Sequence, residues 1–285
     1  MPRARYRYIG ADSECREECL CLAKNFDIHK GEGTLVKDDL KSTVIRAEVW
    51  GDAVFCKRFN HGGFFRCIKN QFRRSKAAIN YLNAVRAQEL DIEVPEHIAA
   101  VEKRVFGFLV ESFLITRSID GAIPLQRFIE NEFPADGEVD LCAKHIFIES
   151  LAGFIAHVHS KGMIHNDLKG ANVVVRKAGG GYEFHILDLD CVSFAECVPR
   201  SCIVRNLVQL NNDCQYVAGE FDRLRFFTYY LRKSGLKLSR EERKSMTAEI
   251  VRLTKVKVDR WRRESERLER KGKSKHIDES INLGG

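Results

Sequence analysis

The sequence has no uninterrupted apolar stretch near the ~18–20 residues that a membrane-spanning helix requires. No apolar run follows the basic residues of the opening MPRARYRYIGADSECREE, so that segment does not read as a secretory signal. A cytoplasmic address is therefore expected. Ten cysteines without such a signal point to reduced, mostly buried thiols rather than a disulfide framework. Cys15, Cys19, Cys21 and His29 could gather a metal, but there is no second CxxC-like pair to complete a familiar site. No internal repeat is evident either.

What is present is ordinary in amount and uneven in placement. Of 285 residues, 44% are apolar and 31% charged, enough for one two-lobed domain or two small ones. The net charge is +7, with an isoelectric point near 8.9. Arg73, Arg74 and Lys76 form one basic cluster. A second runs from Lys255 through Lys257, Arg260, Arg262, Arg263, Arg267, Arg270, Lys271 and Lys273 to Lys275. Such clusters suit anionic headgroups, phosphorylated glycans or nucleic acid. Asp259, Glu264, Glu266 and Glu269 are interleaved in the second, so it also reads as a solvated helix face.

Along the chain the first thirty or so residues carry no clear period and read as irregular or partly helical. Strands are expected at Thr34–Lys37, Thr43–Val49 and Ala53–Phe59, with Trp50-Gly51-Asp52 as a tight turn and Lys57 inside the third strand. A helix is expected from Arg73 to Leu90, where Ala77, Tyr81, Ala84, Val85 and Gln88 recur at threes and fours. Phe106–Thr116 reads as one or two buried strands, and Gly121 and Pro124 mark a linker before a short helix in LQRFIENEF. Asp140–Ser160 is a long helix stopped by Gly162. The loop His165–Asn172 leads to strand Val173–Arg176, a turn at Ala178–Gly181 and a returning strand Glu183–Leu189. Helices follow, among them Phe221–Ser234 and one opening at Ser239 with Glu242 three residues on, a capping box.

The informative stretch is GMIHNDLKGANVVVRKAGGGYEFHILDLDCVSF, Gly162–Phe194. It sets His165, Asp167, Lys169 and Asn172 in one loop and Asp188 at the end of the next strand. Phosphoryl transfer needs an oriented nucleophile, phosphates held in line and neutralisation of accumulating charge. Asp167 can accept the acceptor hydroxyl's proton, and Asn172 and Asp188 supply hard oxygen ligands for Mg²⁺. Lys169 could neutralise the moving group, and Lys57 could reach the nucleotide's phosphates. Singly, His165 and Asp167 could cap a loop, and Lys57 could be a surface lysine. The complete spacing, with Asp188 sixteen residues after Asn172, argues for the chemistry. Asp190 reads as a second metal ligand or a turn residue, Arg205 as a holder of an anionic group or a helix-surface arginine, and His157 and His159 as packing residues.

H-N-D-L-K-G-A-N resembles the catalytic loop of protein kinase-like enzymes, H-x-D-L-K-x-x-N. Asp188-Leu189-Asp190 resembles their Asp-Phe-Gly motif, and V-F-C-K at Lys57 their strand lysine. Within that superfamily the chain most resembles the lipopolysaccharide core sugar kinases, the heptose and Kdo kinases. The similar segments are K-R-F-N-H-G-G-F-F-R-C-I-K-N, E-L-D-I-E-V-P, the D-x-D form and R-N-L-V-Q-L at Arg205–Leu210. The resemblance implies an α+β, protein kinase-like two-lobed fold, with an N-terminal antiparallel sheet plus helix and a mainly helical C-terminal lobe. It divides the chain into an extension (1–30), an N-lobe (31–118), a C-lobe (119–271) and a disordered tail (272–285). It implies an ATP- and Mg²⁺-dependent kinase acting on a heptose or Kdo hydroxyl. Asp167 and Lys169 would be catalytic, Lys57, Asn172 and Asp188 nucleotide-binding, and Asn172 and Asp188 metal-binding. The expected partners are ATP and the lipopolysaccharide core or another anionic glycolipid, at the inner face of the cytoplasmic membrane, with no nucleic acid.

Two departures stand out. No G-x-G-x-x-G lies between the first two strands, where the turn reads K-D-D-L-K-S. The helix after the lysine strand has no acidic residue from Arg73 to Gln88, and Asn80 occupies the position where the family has a lysine-holding glutamate. A small-molecule or antibiotic phosphotransferase of the same fold, or a nucleotide-binding pseudokinase scaffold, are the competing readings. No A-P-E segment follows Asp190, which disfavours a peptide substrate.

Overall fold

The computed structural model describes residues 4–60, 74–134 and 138–269. The segment His61–Asn70, Arg73, and the basic tail from Arg270 onward lie outside the described residues. The chain divides into two compact units, one comprising residues up to Asp120 together with Asp188–Asp190, the other Gly121–Leu187 with the residues from Cys191 on.

The first unit is a six-stranded antiparallel sheet with helices on both faces. Its strands are β1 (Arg5–Ile9), β2 (Thr34–Asp38), β3 (Ser42–Val49), β4 (Asp52–Asn60), β5 (His97–Val105) and β6 (Phe108–Arg117). Their order is β1-β5-β6-β4-β3-β2. The β3–β4 and β5–β6 hairpins turn at Trp50-Gly51 and Phe106-Gly107, where both central residues have positive φ (58°, 78° and 52°, 85°). That is the backbone twist that tight hairpins favour.

Alternation along β4 decides what each face receives. Val54 and Cys56 point to one face, where α1 (Arg16–Lys24) and α2 (Phe26–Glu32) cover them with Cys19, Leu22, Ala23 and Phe26. Phe59 points to the other, against Ala77 and Tyr81 of α3 (Lys76–Glu89). Lys57 shares the Phe59 side. Each large apolar side chain taken from water contributes about 1.5–3 kcal/mol. Residues 16–26 thus belong to the core of the unit, and β1 is its edge strand. The absence of a sequence period in the first thirty residues hides two short helices and a strand.

The second unit is mainly helical: α4 (Leu125–Glu132), α5 (Leu141–Ser160), α6 (Arg200–Cys214), α7 (Glu220–Lys233) and α8 (Arg240–Glu269). Between them lie β7 (Ile123–Pro124), β8 (Met163–His165), β9 (Val173–Ala178), β10 (Gly181–Ile186) and β11 (Val192–Phe194). The hairpin β9–β10 is joined by β7, and β8 pairs with β11. Helix α5 starts where Asp140 accepts from the amides of Cys142 and Ala143. By length and composition it could cross a membrane. Its buried Phe147, Leu151 and Ile155 instead serve this unit's core, where Phe147 meets Phe128, Phe133, Tyr182 and Phe184. Gly162 ends it at φ +81°, and a Cβ there would lie 1.9 Å from the Ala195 carbonyl oxygen. The Ser239–Glu242 capping box forms in both directions, at 2.7 and 3.1 Å.

The nine described cysteines are free. Only Cys19, Cys56 and Cys214 are buried, which corrects the expectation of mostly buried thiols. Cys21, Cys142 and Cys197 are exposed because they fall on solvent-facing turns of their segments. Burial pushes the Cys19 and Cys214 thiols up to about 12 and so keeps them protonated. Cys19 points into the core while Cys21 is exposed, and no cluster of three or more His, Cys, Asp or Glu suited to a metal occurs among the described residues.

Candidate active site

In the helical unit the loop between β8 and β9 is held mostly by uncharged hydrogen bonds, with Asp213 and Arg205 adding two that involve a charged group. Leu168, fully buried, anchors its middle, while the two residues before it, Asn166 and Asp167, are exposed. The His165 ring donates from Nε2 to the Leu187 carbonyl (3.0 Å), so its Nδ1 is the acceptor for the Asp167 amide (3.1 Å). Asn172 donates to the Asp167 carbonyl at 2.8 Å and approaches its Oδ2 at 3.4 Å. That leaves the Asn172 amide oxygen as its acceptor end. Lys169 Nζ lies 3.5 Å from Asp167 Oδ2. The structure therefore gathers Asp167, Lys169 and Asn172, as the spacing implies, and His165 is the residue that orients Asp167.

Helix α6 grips this loop along one face, at positions three and four apart. Asn206 donates to the His165 carbonyl at 2.5 Å. Gln209 donates to the Asn166 carbonyl (2.6 Å) and accepts from the Leu168 amide (3.2 Å). Asp213 accepts from the Gly170 amide at 3.0 Å. Burial holds the Asp213 carboxyl above its usual range, offset in part by that amide and by Lys169. Arg205 donates to Asn166 Oδ1 at 2.8 Å, which gives it a place on the same loop.

The grip extends inward. His159 lies 2.8 Å from the Tyr230 hydroxyl and 3.2 Å from Asn206 Oδ1. Since Asn206 Nδ2 is committed to His165, the chain runs Tyr230 O–H to His159, His159 N–H to Asn206, and Asn206 to the loop. Burial lowers the His159 pKa to about 4, so every member is neutral at neutral pH. The sequence marks His159 as a packing residue and R-N-L-V-Q-L as a shared segment, but gives no role to Asn206, Gln209 or Asp213. Their signal is polar residues three and four apart on a helix that also buries Ile203, Leu207 and Leu210. An apolar recess elsewhere in the unit, lined by Phe147, Leu210, Cys214 and Phe226, includes no residue of this loop.

The strand-rich unit holds its candidate residues by charge instead. Lys57 Nζ is 2.8 Å from Asp188 Oδ1 and 4.9 Å from the centre of the Phe59 ring. Asp188 sits at φ +60°, in the left-handed region that aspartate enters more readily than most side chains and that recurs at functional sites. Helix α3 reaches the same short segment twice: Lys76 Nζ is 2.8 Å from Asp190 Oδ2, and Asn83 donates to the Leu189 carbonyl at 2.7 Å. Asn80 is buried, with Oδ1 3.0 Å from His97 Nε2. It faces the sheet, and the anionic partner of Lys57 is Asp188 rather than any residue of α3.

The turn K-D-D-L-K-S links β2 and β3, with Asp39 Oδ1 accepting from the Lys41 and Ser42 amides, both at 2.7 Å. Those two amides are thus engaged by the chain itself.

A profile of the lipopolysaccharide kinase (Kdo/WaaP) family matches residues 55–230. No curated protein matches. Among solved structures, one described as WaaP in complex with acyl carrier protein is similar, with a TM-score of 0.62 and 17% identity over 87% of this chain and 98% of that one. At that identity the likeness speaks to fold. The BubR1 kinase domain aligns at a TM-score of 0.43 and 11% identity, over 78% of this chain and 84% of that one, a likeness too weak to carry an argument. The antiparallel N-terminal sheet, the helical C-terminal unit and the WaaP likeness bear out the expected fold class. The profile covers more than half of the chain, and the chain belongs to the lipopolysaccharide kinase (Kdo/WaaP) family, kinases that transfer phosphate to a sugar hydroxyl.

Proposed function

We propose that the protein uses ATP and Mg²⁺ to phosphorylate a heptose or Kdo hydroxyl of the lipopolysaccharide core. The observation that carries this reading is the loop geometry, in which His165 and Asn172 fix the Asp167 backbone and leave its carboxylate exposed, with Asn172 and Lys169 beside it. Asp167 orients the acceptor hydroxyl and takes its proton. Lys169 offsets charge on the transferring group, and Lys57 holds the nucleotide's phosphates as a point charge. Mg²⁺, when bound, neutralises phosphate charge. Asp188 and the oxygen end of Asn172 are the ligands proposed for it. A single carboxylate with a neutral amide oxygen suits this hard cation, which commonly takes one or two carboxylates and completes its shell with phosphate and water. The engagement of Lys57 by Asp188 answers the missing helix glutamate and favours an active enzyme over a scaffold.

The informative experiment is mass spectrometry of core oligosaccharide from cells with and without the gene. Loss of one phosphate from an inner-core sugar is expected. An unchanged core, with phosphorylation of another small molecule in vitro, would replace this reading with a metabolite kinase.

We also propose peripheral attachment to the inner face of the cytoplasmic membrane through the second basic cluster. Thr254 is buried on α8 and tied to Asn211 at 2.8 Å, and Lys255, Lys257, Arg260, Arg262 and Arg263 beyond it are exposed. Truncation after Thr254 should weaken binding to anionic vesicles, and added salt should weaken the intact chain's binding. Vesicle binding indifferent to both changes would leave the cluster a solvated face.

A further inference from the structure

The strand-rich unit contains two lysines, one aromatic ring and two aspartates in a paired arrangement. Lys57 and Lys76 both lie over the Phe59 ring, at 4.9 and 5.8 Å from its centre. Lys57 ends on Asp188 at 2.8 Å and Lys76 ends on Asp190 at 2.8 Å. The ring is buried among Ala77, Tyr81, Ala100 and Leu114, so it is a fixed platform. Alternation of β4 puts Lys57 and Phe59 on one face. The first turn of α3 places Lys76, and Ser75 caps that turn by accepting from the Ala78 amide at 3.1 Å. The cap is itself tied to the sheet through Glu102, which lies 3.4 Å from the Ser75 amide.

We infer that Lys76 and Asp190 are positioning residues that set the Asp188 carboxylate for its ligand, and that Asp190 is not a metal ligand. Three observations support the assignment. The Asp190 carboxylate is only 11% exposed, and its Oδ2 already meets an ammonium group. The residue between the two aspartates, Leu189, is fully buried and its carbonyl is taken by Asn83, so the segment is fixed to α3 at two successive residues. Asp188 then stands at φ +60°, a conformation that persists only where its surroundings over-determine it. A helix without a carboxylate thereby serves the segment through a cation: Lys76 on α3 draws Asp190, and Asp190 carries Asp188 into place. The usual polarity of a helix acid drawing the strand lysine is reversed.

The inference rests on the proposed kinase function, and its test separates the two. Nucleotide binding is measured in the full chain as thermal stabilisation by ATP over a Mg²⁺ titration, alongside kcat and KM for ATP, in wild type, Lys76→Met, Asp190→Asn and the double variant. Wild type without any Mg²⁺-dependent response to ATP would remove the function and the inference with it. With wild type responsive, each single variant should raise the Mg²⁺ concentration for half-maximal response by roughly 3–10-fold. The double variant should be no worse than the worse single, as for two residues acting through one contact. The charge-swapped Lys76→Asp/Asp190→Lys pair should recover part of the loss. Melting without nucleotide identifies any variant that merely fails to fold, and Lys76→Met, at a side chain 60% exposed, is the variant expected to keep its fold. If Asp190→Asn loses the Mg²⁺ response while Lys76→Met keeps it, Asp190 is a metal ligand and the inference is overturned. Additive losses, or no change in either single variant, overturn it as well.

Discussion

The two units hold their working residues by different physics. In the helical unit, the Asp167 loop is fixed mostly by neutral hydrogen bonds with His165, Asn172, Asn206 and Gln209, with a chain of neutral groups behind them reaching Tyr230. In the strand-rich unit, Asp188 and Asp190 are fixed by Lys57 and Lys76, both partly open to solvent. Buried neutral bonds are geometrically strict and indifferent to salt, and they are costly to leave unmade. Partly exposed ion pairs contribute little stability each and weaken with salt. The first arrangement suits the proposed role of Asp167 in aiming one proton acceptor. The second suits the proposed exchange, in which Asp188 would turn to a metal ion and Lys57 to phosphates.

The comparison can be broken most sharply at Asp188. Asp188→Ala removes both the proposed metal ligand and the anion of Lys57, and we predict that it abolishes Mg²⁺-dependent stabilisation by ATP. A variant still stabilised like wild type would show that the charged half does not bind the nucleotide's metal.

Acid should act on the neutral half through His159, and on the strand-rich unit through the buried His97, whose pKa burial likewise lowers to about 4. The folded pKa of His159, about 4, lies below the ordinary value of 6.5, because burial disfavours the charged ring. As pH falls the unfolded chain takes that proton first. The stability contributed by the neutral ring is therefore complete above pH 6.5 and lost as pH falls toward 4, by about 3 kcal/mol in all. Unfolding midpoints measured from pH 7.5 to 4.5 should decline more steeply for wild type than for His159→Gln. Parallel declines would contradict the neutral relay.

Smaller still is the loss of one tooth of α6. Gln209→Leu leaves the Leu168 amide without its acceptor, at a cost of about 1–3 kcal/mol. The loss should be the same in low and high salt when read from denaturant midpoints. A loss that shrinks with salt would mean that charge holds this loop too. The smallest effect belongs to Lys57: Lys57→Met without nucleotide should cost under about 1 kcal/mol, and less as salt rises. A larger penalty would mean that the pair stabilises the fold rather than waiting for a ligand.

Much of this was legible in the sequence. The strands around Lys57, the Trp50-Gly51 turn, the long helix, the catalytic loop and the Ser239–Glu242 cap all follow local rules of alternation, helical spacing and capping, and each lies within a residue or two of its expected bounds. Strand β5 was missed because His97–Val105 mixes a buried apolar run with charged residues and has no clean period of two. The N-terminal helices are legible only as an irregular or partly helical stretch, because α1 and α2 are 9 and 7 residues long, too short for a period to stand out. The partner of Lys57 was missed for a different reason. Asn80 was placed by counting along the chain, but the lysine meets Asp188, 131 residues away, and such a pairing leaves no local trace. The teeth of α6 are likewise polar residues that, without the fold, read as a solvated face.

The most direct test is phosphate transfer from labelled ATP to a dephosphorylated lipopolysaccharide inner core, comparing wild type with Asp167→Asn. The carboxamide has nearly the same shape but cannot accept the hydroxyl proton. The account predicts a fall of roughly 10²–10⁴-fold in kcat, with stabilisation by Mg²⁺ and ATP nearly intact. Near-normal turnover by Asp167→Asn would contradict it.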